Sequence, residues 1–249
     1  MIHLLLNQYS HSCPFDIAFY PMHTPHWPER SLTTPNHLTG GEIHVWRFNL
    51  DQDWPDETHT LNPTEQQRLS AFKVPLIARR YQHSRNYLRS ILASYLHKPP
   101  ASLEFVITAG GKPQLKQTAL QFNLSHSQEW GLLAVSASQP VGIDLEKIRP
   151  MKHISAIARR LFPKDIQNQL LHGNEADQQL LFFTQWTAME ARQKALGRGI
   201  FESTVDPDSM HCQHFMAAPD FAAVVATEFR HPKPTLKFFN CSPTAYDAA

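Results

Sequence analysis

The segment FFTQWTAMEARQKALGRG, from Phe182 to Gly199, carries the strongest local pattern in the chain. Its composition predicts one helix that ends at the Gly-Arg-Gly sequence, because glycine is the preferred residue just past a helix C-terminus. Trp186, Glu190 and Lys194 are spaced four residues apart, so they share one side of that helix. The sequence therefore places a carboxylate between an aromatic ring and an ammonium group on one helical face.

A second segment, VGIDLE at residues 141–146, supplies acidic residues that can act together with Glu190 of this helix. Apolar residues alternate there with glycine and acidic residues, which predicts a strand with one apolar and one acidic face. Asp144 and Glu146 then lie on the same face, roughly 7 Å apart at about 3.3 Å per residue. Two such carboxylates repel each other unless a cation lies between them. If Glu190 joins them, three hard oxygen ligands are available, and this set suits Mg²⁺.

Length and composition describe an ordinary globular protein. The 249 residues suffice for one large domain or two of about 120. Hydrophobic residues make up 42% and charged residues 18%, and the net charge of +1 predicts neither bulk nucleic-acid binding nor attraction to a membrane surface. Three widely spaced cysteines and no CxxC motif favour a reduced compartment. With no apolar run of about 20 residues and no signal-peptide pattern, a cytoplasmic protein without a membrane span is expected.

The order of predicted elements divides the chain into three parts. Residues 1–40 are rich in proline and histidine and are predicted to form an irregular extension, draped over the body through Phe15, Phe19, Tyr20 and Trp27. Residues 41–140 and 141–249 each run strand, helices, strands, which predicts an α+β fold of two similar lobes. The predicted strands are 41–50, 103–108, 121–127, 131–138, 141–146 and 221–228, and the predicted helices are a short one that begins at Asn62 and carries Arg68, followed by 78–98, 151–161 and 182–199. The polar stretch 163–176 is predicted to be a loop with at most a short helical turn.

Several basic and hydroxyl side chains lie at the ends of predicted elements. The sequence GGKP at residues 110–113 predicts a tight turn that presents Lys112. The strand QFNLSHS ends in Ser125, His126 and Ser127, but no Gly-x-Ser-x-Gly sequence surrounds them. Two hydroxyls and an imidazole are equally suited to phosphate binding, so both nucleophilic catalysis and phosphate binding remain open from these residues alone. The arginines of the helix 78–98 are interpreted largely as a solvated face.

The order of GKP, FNLSHS, VGIDLE and WxxxExxxK followed by GxG resembles the Sfp-type 4′-phosphopantetheinyl transferases. The resemblance covers about residues 42–230, and the combination is specific although each piece alone is weak. It implies a monomer of two pseudo-symmetric α+β lobes with the active site in the cleft between them. It also implies transfer of the phosphopantetheine arm of coenzyme A to a serine of an apo acyl or peptidyl carrier protein, with release of 3′,5′-ADP.

The resemblance also assigns roles at the reacting centre. Asp144, Glu146 and Glu190 match the acidic residues that hold Mg²⁺ on the pyrophosphate. Lys194 matches a lysine that contacts phosphate at the reacting centre. Glu190, or a water on the metal ion, is expected to accept the proton of the carrier serine. The implied catalytic residues are therefore Glu190, Lys194 and Asp144.

A further group of residues is implied to bind coenzyme A. His126 matches a histidine near the 3′-phosphate, with Ser125 beside it. Lys112 of the GKP sequence matches a lysine that reaches the coenzyme A phosphates, as Lys194 also does. Arg68, on the short helix that begins near Asn62, matches a basic residue that the family has at the nucleotide end of coenzyme A.

Two features depart from the family pattern and keep other functions open. The usual lysine before the helical glutamate is replaced by Met189, and the stretch between Gly199 and Phe221 is short, which predicts a trimmed second lobe. Both favour, as an alternative, a degenerate relative that binds coenzyme A or a carrier protein with weak or no transfer. A Mg²⁺-dependent phosphodiesterase or nuclease is a third hypothesis, although the near-neutral charge argues against nucleic-acid binding.

Overall fold

The computed structural model describes residues 22–33, 36–54, 60–198, 209–229 and 232–242. Helices and strands are mixed, as an α+β fold requires. The first half contains β1 (Glu42–Asn49), α1 (Pro63–Ser70), α2 (Pro75–Leu96), β2 (Phe105–Ile107), β3 (Pro113–Leu115), β4 (Gln121–Ser127) and β5 (Trp130–Ser136). The second half contains β6 (Val141–Lys147), α3 (Ile154–Leu161), α4 (Lys164–His172), α5 (Glu175–Leu196), β7 (Met210–Ala218), β8 (Phe221–Glu228) and β9 (Thr235–Asn240). No described helix is both long and apolar enough to cross a membrane.

The two halves share one strand topology. The larger sheet has the order β4-β5-β1-β9 and the smaller sheet has the order β6-β8-β7. In the first half β1 pairs antiparallel with β5, which pairs antiparallel with β4, and in the second half β6 pairs antiparallel with β8, which pairs antiparallel with β7. The prediction of two similar lobes is therefore confirmed by the order and direction of the strands.

The two sheets pack on each other, and each carries a long helix on its other face. Residues of β1 and β5 share a core with β6, β7 and β8, which includes Val45, Leu132, Ile143 and Val225. On the outer side of the larger sheet, α2 covers a core that includes Trp46, which is fully buried. On the outer side of the smaller sheet, small residues of α5 pack against β8. The layers therefore run helix, sheet, sheet, helix, and the site described below lies where the edge strands β4 and β6 meet.

Two segments cross between the lobes. Strand β9, which is not among the predicted strands, pairs in parallel with β1, so a segment assigned to the second lobe completes the sheet of the first. The segment 22–33 forms bridges from His23 to Phe215 and from Glu29 to Asn240, and so contacts both lobes. The ring of Trp27 packs 5.1 Å from that of Phe238, as predicted, whereas Phe15, Phe19 and Tyr20 lie outside the described residues.

Three predicted elements differ from the structure. Helix α5 begins at Glu175, two turns before the predicted start, because the side chain of Asn174 accepts a hydrogen bond from the Asp177 amide (3.0 Å) and caps it. Helix α4 occupies most of the predicted loop 163–176. Strand β7 lies in the stretch predicted to lack an additional strand, so this part of the second lobe is not trimmed as expected.

Glycine 142 allows α5 to lie directly on β6. A Cβ atom at this position would lie 2.0 Å from the Ala191 carbonyl oxygen and 2.4 Å from the Ala195 nitrogen. Both atoms belong to the helix backbone, so no side-chain rotation could relieve the contact. The close crossing brings the acidic residues of β6 next to Glu190 and Lys194.

We expect Gly142→Ala to destabilise the protein by about 1–3 kcal/mol or more, because α5 must move away from β6. Urea unfolding followed by circular dichroism measures the change. Gly40→Ala is the matched control, since no atom lies within 4 Å of the added carbon, and its effect should stay within about 0.5 kcal/mol. Equal effects of the two substitutions would contradict the close crossing.

Candidate functional site

Strand β6 supplies two of the three carboxylates of the site. Val141, Ile143 and Leu145 lie in the core between the sheets, so the predicted alternation is confirmed. Asp144 and Glu146 therefore lie on the other face, towards α5. Only 2% of the Asp144 surface is exposed, whereas Glu146 is half-buried.

Helix α5 supplies the third carboxylate and the lysine that joins it to β6. The ammonium of Lys194 forms an ion pair with Asp144 Oδ1 and lies 3.3 Å from Glu190 Oε2. Glu190 and Lys194 are one helical turn apart, which allows the contact between them. Asp144 and Glu190 thus lie within reach of a single cation, and in this structure that cation is the ammonium of Lys194.

Strand β4 donates hydroxyl groups to the carboxylates of β6. Ser125 Oγ donates to Asp144 Oδ1 (2.9 Å) and Ser127 Oγ donates to Glu146 Oε2 (3.1 Å). One step earlier, the Ile143 amide donates to Asn123 Oδ1 (2.9 Å). Ser125 was expected beside a nucleotide phosphate with His126. Its buried hydroxyl instead orients Asp144, because alternation on β4 directs Ser125 and His126 to opposite faces.

The site carries more negative than positive charge, and the pKa values of its side chains are shifted. Burial, followed by repulsion from Asp144, raises the pKa of Glu190 to about 7 despite the nearby ammonium. Burial and Asp144 also raise the pKa of Glu146. For Lys194, burial acts to lower the pKa, but attraction to Asp144 and Glu190 outweighs it and the pKa is raised. Three carboxylates thus face the Lys194 ammonium and, at Glu146, the Arg149 guanidinium 4.0 Å away, so negative charge remains in excess.

The donor set of the site consists of carboxylate oxygens, which are ligands for a divalent cation. Among the described residues, no group of three histidine, cysteine, aspartate or glutamate side chains forms a ready-made metal site. Asp144 Oδ2, however, is buried without a hydrogen-bond partner, and every candidate ligand is a carboxylate oxygen. Hard oxygen ligands with excess negative charge fit Mg²⁺ in their chemistry. The assignment of Asp144, Glu146 and Glu190 as metal ligands stays a prediction.

A basic group lies beside the acidic centre, on the other face of β4. His126 is exposed at the surface, while surrounding protein atoms and the charges of Arg85 and Lys194 lower its pKa. The guanidinium groups of Arg85 and Arg68 lie 5.7 Å and 5.6 Å from the Tyr81 ring. This face therefore offers an aromatic ring, two guanidinium groups and an imidazole, a set suited to a phosphorylated nucleotide.

Arg85 was not singled out from the sequence. Its two helical neighbours have structural partners: Arg80 contacts Asp51 at 2.6 Å, and Arg89 contacts Glu65 at 2.8 Å. The guanidinium of Arg85 has no ion-pair partner among the described residues, and its Nε is buried without a hydrogen bond. Burial also lowers its pKa. The sequence pattern could not separate the three arginines, because their partners come from distant segments.

Lys112 lies in a different environment from the one predicted. Its side chain is buried, with 8% of the residue surface exposed, and Nζ donates to the carbonyl oxygens of Val141 and Ala195, both at 2.9 Å. This corrects the expectation that the ammonium is available to a phosphate of coenzyme A, since two backbone carbonyls hold it inside the protein.

An apolar cavity of about 320 Å³ opens next to the acidic centre. Glu146 and Trp186 lie in its wall, together with Ile157 of α3 and Phe182 of α5. Trp186 also stacks on Phe182, with ring centroids 6.0 Å apart, so this half-buried residue packs on the core and also lines the cavity.

Two protein-family models match this chain. The family described as "4′-phosphopantetheinyl transferase, N-terminal" matches residues 45–138, and the "4′-phosphopantetheinyl transferase superfamily" matches residues 140–236. The two matches adjoin each other between residues 138 and 140.

Curated relatives carry the same description. The 4′-phosphopantetheinyl transferase HetI of Nostoc sp. is 38% identical over 178 residues, which are 68% of this chain and 75% of the relative. A putative 4′-phosphopantetheinyl transferase of Synechocystis sp. is 34% identical over 162 residues, 63% of this chain and 65% of the relative. The transferase Sfp of Bacillus subtilis is 29% identical over 153 residues, 56% of this chain and 67% of the relative.

The buried ammonium of Lys112 leads to a prediction about pH. Burial lowers its pKa from 10.5 to about 8. Between these values the unfolded chain binds one proton more than the folded chain, so the free energy of unfolding rises with pH. Relative to Lys112→Met, the wild type should gain on the order of 3 kcal/mol between pH 7.5 and 10.5.

Urea unfolding of both proteins across that pH range measures this gain. The matched control is Lys116→Met, which removes an exposed lysine that pairs with Glu104. Its difference from the wild type should change little with pH, because exposed pairs contribute little. A difference for Lys112→Met that also stays constant would contradict the lowered pKa.

Proposed function

This chain belongs to the 4′-phosphopantetheinyl transferase superfamily, and we propose that it transfers the 4′-phosphopantetheine arm of coenzyme A to a serine of an acyl or peptidyl carrier protein, with release of 3′,5′-ADP. The observation that carries the proposal is the meeting of opposite charges at one place. The carboxylates of Asp144 and Glu190 share the Lys194 ammonium, and His126 and Arg85 lie close by. A diphosphate with an attached 3′-phosphate needs both kinds of group.

The acidic residues are assigned to a metal ion and the diphosphate. Asp144, Glu146 and Glu190 would hold Mg²⁺, which supplies positive charge at the diphosphate oxygens when bound. The buried Asp144 Oδ2 without a hydrogen-bond partner supports this assignment, and so do the raised pKa values of Glu146 and Glu190, which burial and repulsion from Asp144 cause.

The transfer step requires little covalent chemistry from the protein. The carrier serine Oγ forms a bond to the phosphorus that bears pantetheine, and the bond from that phosphorus to the bridging oxygen breaks. Phosphoryl transfer of this kind depends mainly on positioning and charge stabilisation. Lys194 is assigned to the phosphate oxygens at this phosphorus, and Glu190 is assigned to accept the serine proton.

The basic face of β4 and α2 is assigned to the nucleotide. We place the 3′-phosphate near His126 and Arg85, and the rest of the nucleotide near Tyr81 and Arg68. An unpaired, half-buried guanidinium is the strongest support, since a buried charge without a partner is costly in the absence of an anion.

The apolar cavity beside Glu146 is assigned to the pantetheine arm. The arm leaves the diphosphate at the reacting phosphorus, and the cavity opens directly beside the acidic centre. Its wall of aromatic and aliphatic side chains suits an uncharged chain, and Arg149 and Arg160 at its border suit an acidic carrier surface. One chain supplies both faces of this cleft, so we propose that the active form is a monomer.

Met189 favours the alternative of a degenerate relative with weak transfer. It is half-buried on α5 beside Glu190, where the resemblance implies a lysine. Arg192 does not replace that lysine, because its side chain is engaged with Cys212 of β7. Loss of one charge-assisted hydrogen bond of about 1.5–3 kcal/mol would slow transfer by about one to two orders of magnitude.

The deciding experiment measures carrier modification directly. The protein is incubated with coenzyme A, Mg²⁺ and an apo carrier protein, and the carrier is analysed by mass spectrometry. We expect a phosphopantetheine mass gain that EDTA abolishes and that Glu190→Gln slows by about 10²–10⁴-fold. Glu175→Gln is the matched control, because Glu175 is exposed in the first turn of the same helix.

The other outcomes separate the alternatives. Binding of coenzyme A without a mass gain would support the degenerate relative. Cleavage of nucleic acid with an unmodified carrier would support the phosphodiesterase hypothesis. Full activity of Glu190→Gln would exclude Glu190 as ligand and base.

Arg85→Met should weaken the binding of 3′,5′-ADP by about ten- to a hundredfold, because one charge-assisted phosphate contact is lost. Isothermal titration calorimetry measures the affinity. Arg79→Met is the matched control, since Arg79 is exposed on the same helix. Equal affinity of the wild type and Arg85→Met would remove Arg85 from the nucleotide site.

A further inference from the structure

The turn that carries Lys112 is held rigidly between β2 and β3. The Thr108 amide donates to the Lys112 carbonyl oxygen (3.0 Å), and the Lys112 amide donates to Thr108 Oγ1 (3.0 Å). The Gly111 amide donates to the Thr108 carbonyl oxygen (2.9 Å). These hydrogen bonds fix the backbone of the turn, and the Lys112 side chain extends from it into the protein interior.

The ammonium of Lys112 joins two elements that carry the acidic centre. Val141, one acceptor, is the first residue of β6, and Ala195, the other, lies in the last turn of α5. Carbonyl groups in the last turn of a helix lack intrahelical partners and carry partial negative charge, so an ammonium is a favourable donor there. Each acceptor is close in sequence to a residue of the site, since Asp144 follows Val141 on β6 and Lys194 directly precedes Ala195.

The same turn also touches the C-terminal cap of α5 through its backbone. A Cβ atom at Gly110 would lie 1.6 Å from the Gly197 carbonyl oxygen. Gly197 has a φ of 65° and ends the helix in the left-handed conformation, which glycine adopts without strain. The Lys112 contact is therefore part of a close interface between the first lobe and the end of α5.

We propose that Lys112 is a positioning residue, which fixes the separation of β6 from the last turn of α5 and so the placement of Asp144 relative to Glu190 and Lys194. The proposal rests on the proposed function, because the separation of β6 from α5 matters only if Asp144, Glu190 and Lys194 act together in that function. An ammonium has three N–H donors, and two of them are used by these carbonyls. Moving the ammonium out into the cleft would break both hydrogen bonds, and the Ala195 carbonyl oxygen would lose Lys112 as a donor.

The first test uses the wild-type protein and measures the reactivity of its lysines. The protein is treated at pH 8 with N-hydroxysuccinimidyl acetate, with and without 3′,5′-ADP, and the peptides are analysed by mass spectrometry. We expect Lys112 to stay unmodified in both samples, while Lys116, whose side chain is half exposed, is modified in both. Modification of Lys112 in the free protein would overturn the proposal, whether or not the nucleotide protects it.

The second test measures what Lys112 does for the site. In Lys112→Met we expect the dissociation constant of Mn²⁺, measured by electron paramagnetic resonance without nucleotide, to rise about tenfold and kcat to fall by a similar factor. The dissociation constant of 3′,5′-ADP should stay within about twofold, because no phosphate contact is removed. Lys116→Met should change none of these quantities.

Two results would overturn the proposal. Loss of 3′,5′-ADP binding with unchanged Mn²⁺ affinity would make Lys112 a phosphate ligand. An unchanged Mn²⁺ affinity and kcat, with only a shifted Tm, would make its role purely structural. If Lys112→Met does not fold, the reactivity test on the wild type still decides where Lys112 lies. Neither the reactivity nor the Mn²⁺ titration needs carrier modification, so failure of the proposed transfer would be recognised separately.

Discussion

The backbone contact between β6 and α5 is the constraint on which the rest of the site depends. Residue 142 has no side chain, and a Cβ atom there would lie 2.0 Å from the Ala191 carbonyl oxygen. At this distance the carboxylates of β6 and the side chains of the last helical turns share one space, and Lys194 can reach Asp144 and Glu190 together. A wider separation would take Glu190 and Lys194 away from the two carboxylates of β6.

This arrangement concentrates like charges where water is partly excluded. Burial and mutual repulsion raise the pKa values of Glu146 and Glu190, and the ammonium of Lys194 together with the Arg149 guanidinium near Glu146 does not balance the three carboxylates. The hydroxyl groups of Ser125 and Ser127 offset part of this cost by donating to Asp144 and Glu146. Perturbed groups of this kind are typical of functional sites, because the same electrostatic imbalance that disfavours the free protein favours a bound cation or a charged substrate.

Side-chain hydrogen bonds join the two lobes along the edge where β4 and β6 meet, and backbone hydrogen bonds join them elsewhere. Strands β4 and β6 are edge strands of different sheets, and the contacts described between them are made by Asn123, Ser125 and Ser127. On the opposite side, β9 extends the first sheet, and the segment 22–33 bridges both lobes. The lobes are therefore joined firmly away from the site, while polar side chains line the edge where the acidic and basic groups lie.

The sequence by itself determined the features that depend on local spacing. It determined the two faces of β6, the shared helical side of Glu190 and Lys194, and the capping box at Asn62, because period-2 and period-3.6 patterns and caps are fixed by nearby residues. Only the tertiary structure decided which basic side chains have partners. Lys112 is held by carbonyls from two other elements, whereas Arg85 is left without an ion-pair partner among the described residues. Strand β9 could not be predicted from the sequence either. Its pairing with β1 joins segments that are far apart in the chain, and such long-range contacts leave no local pattern.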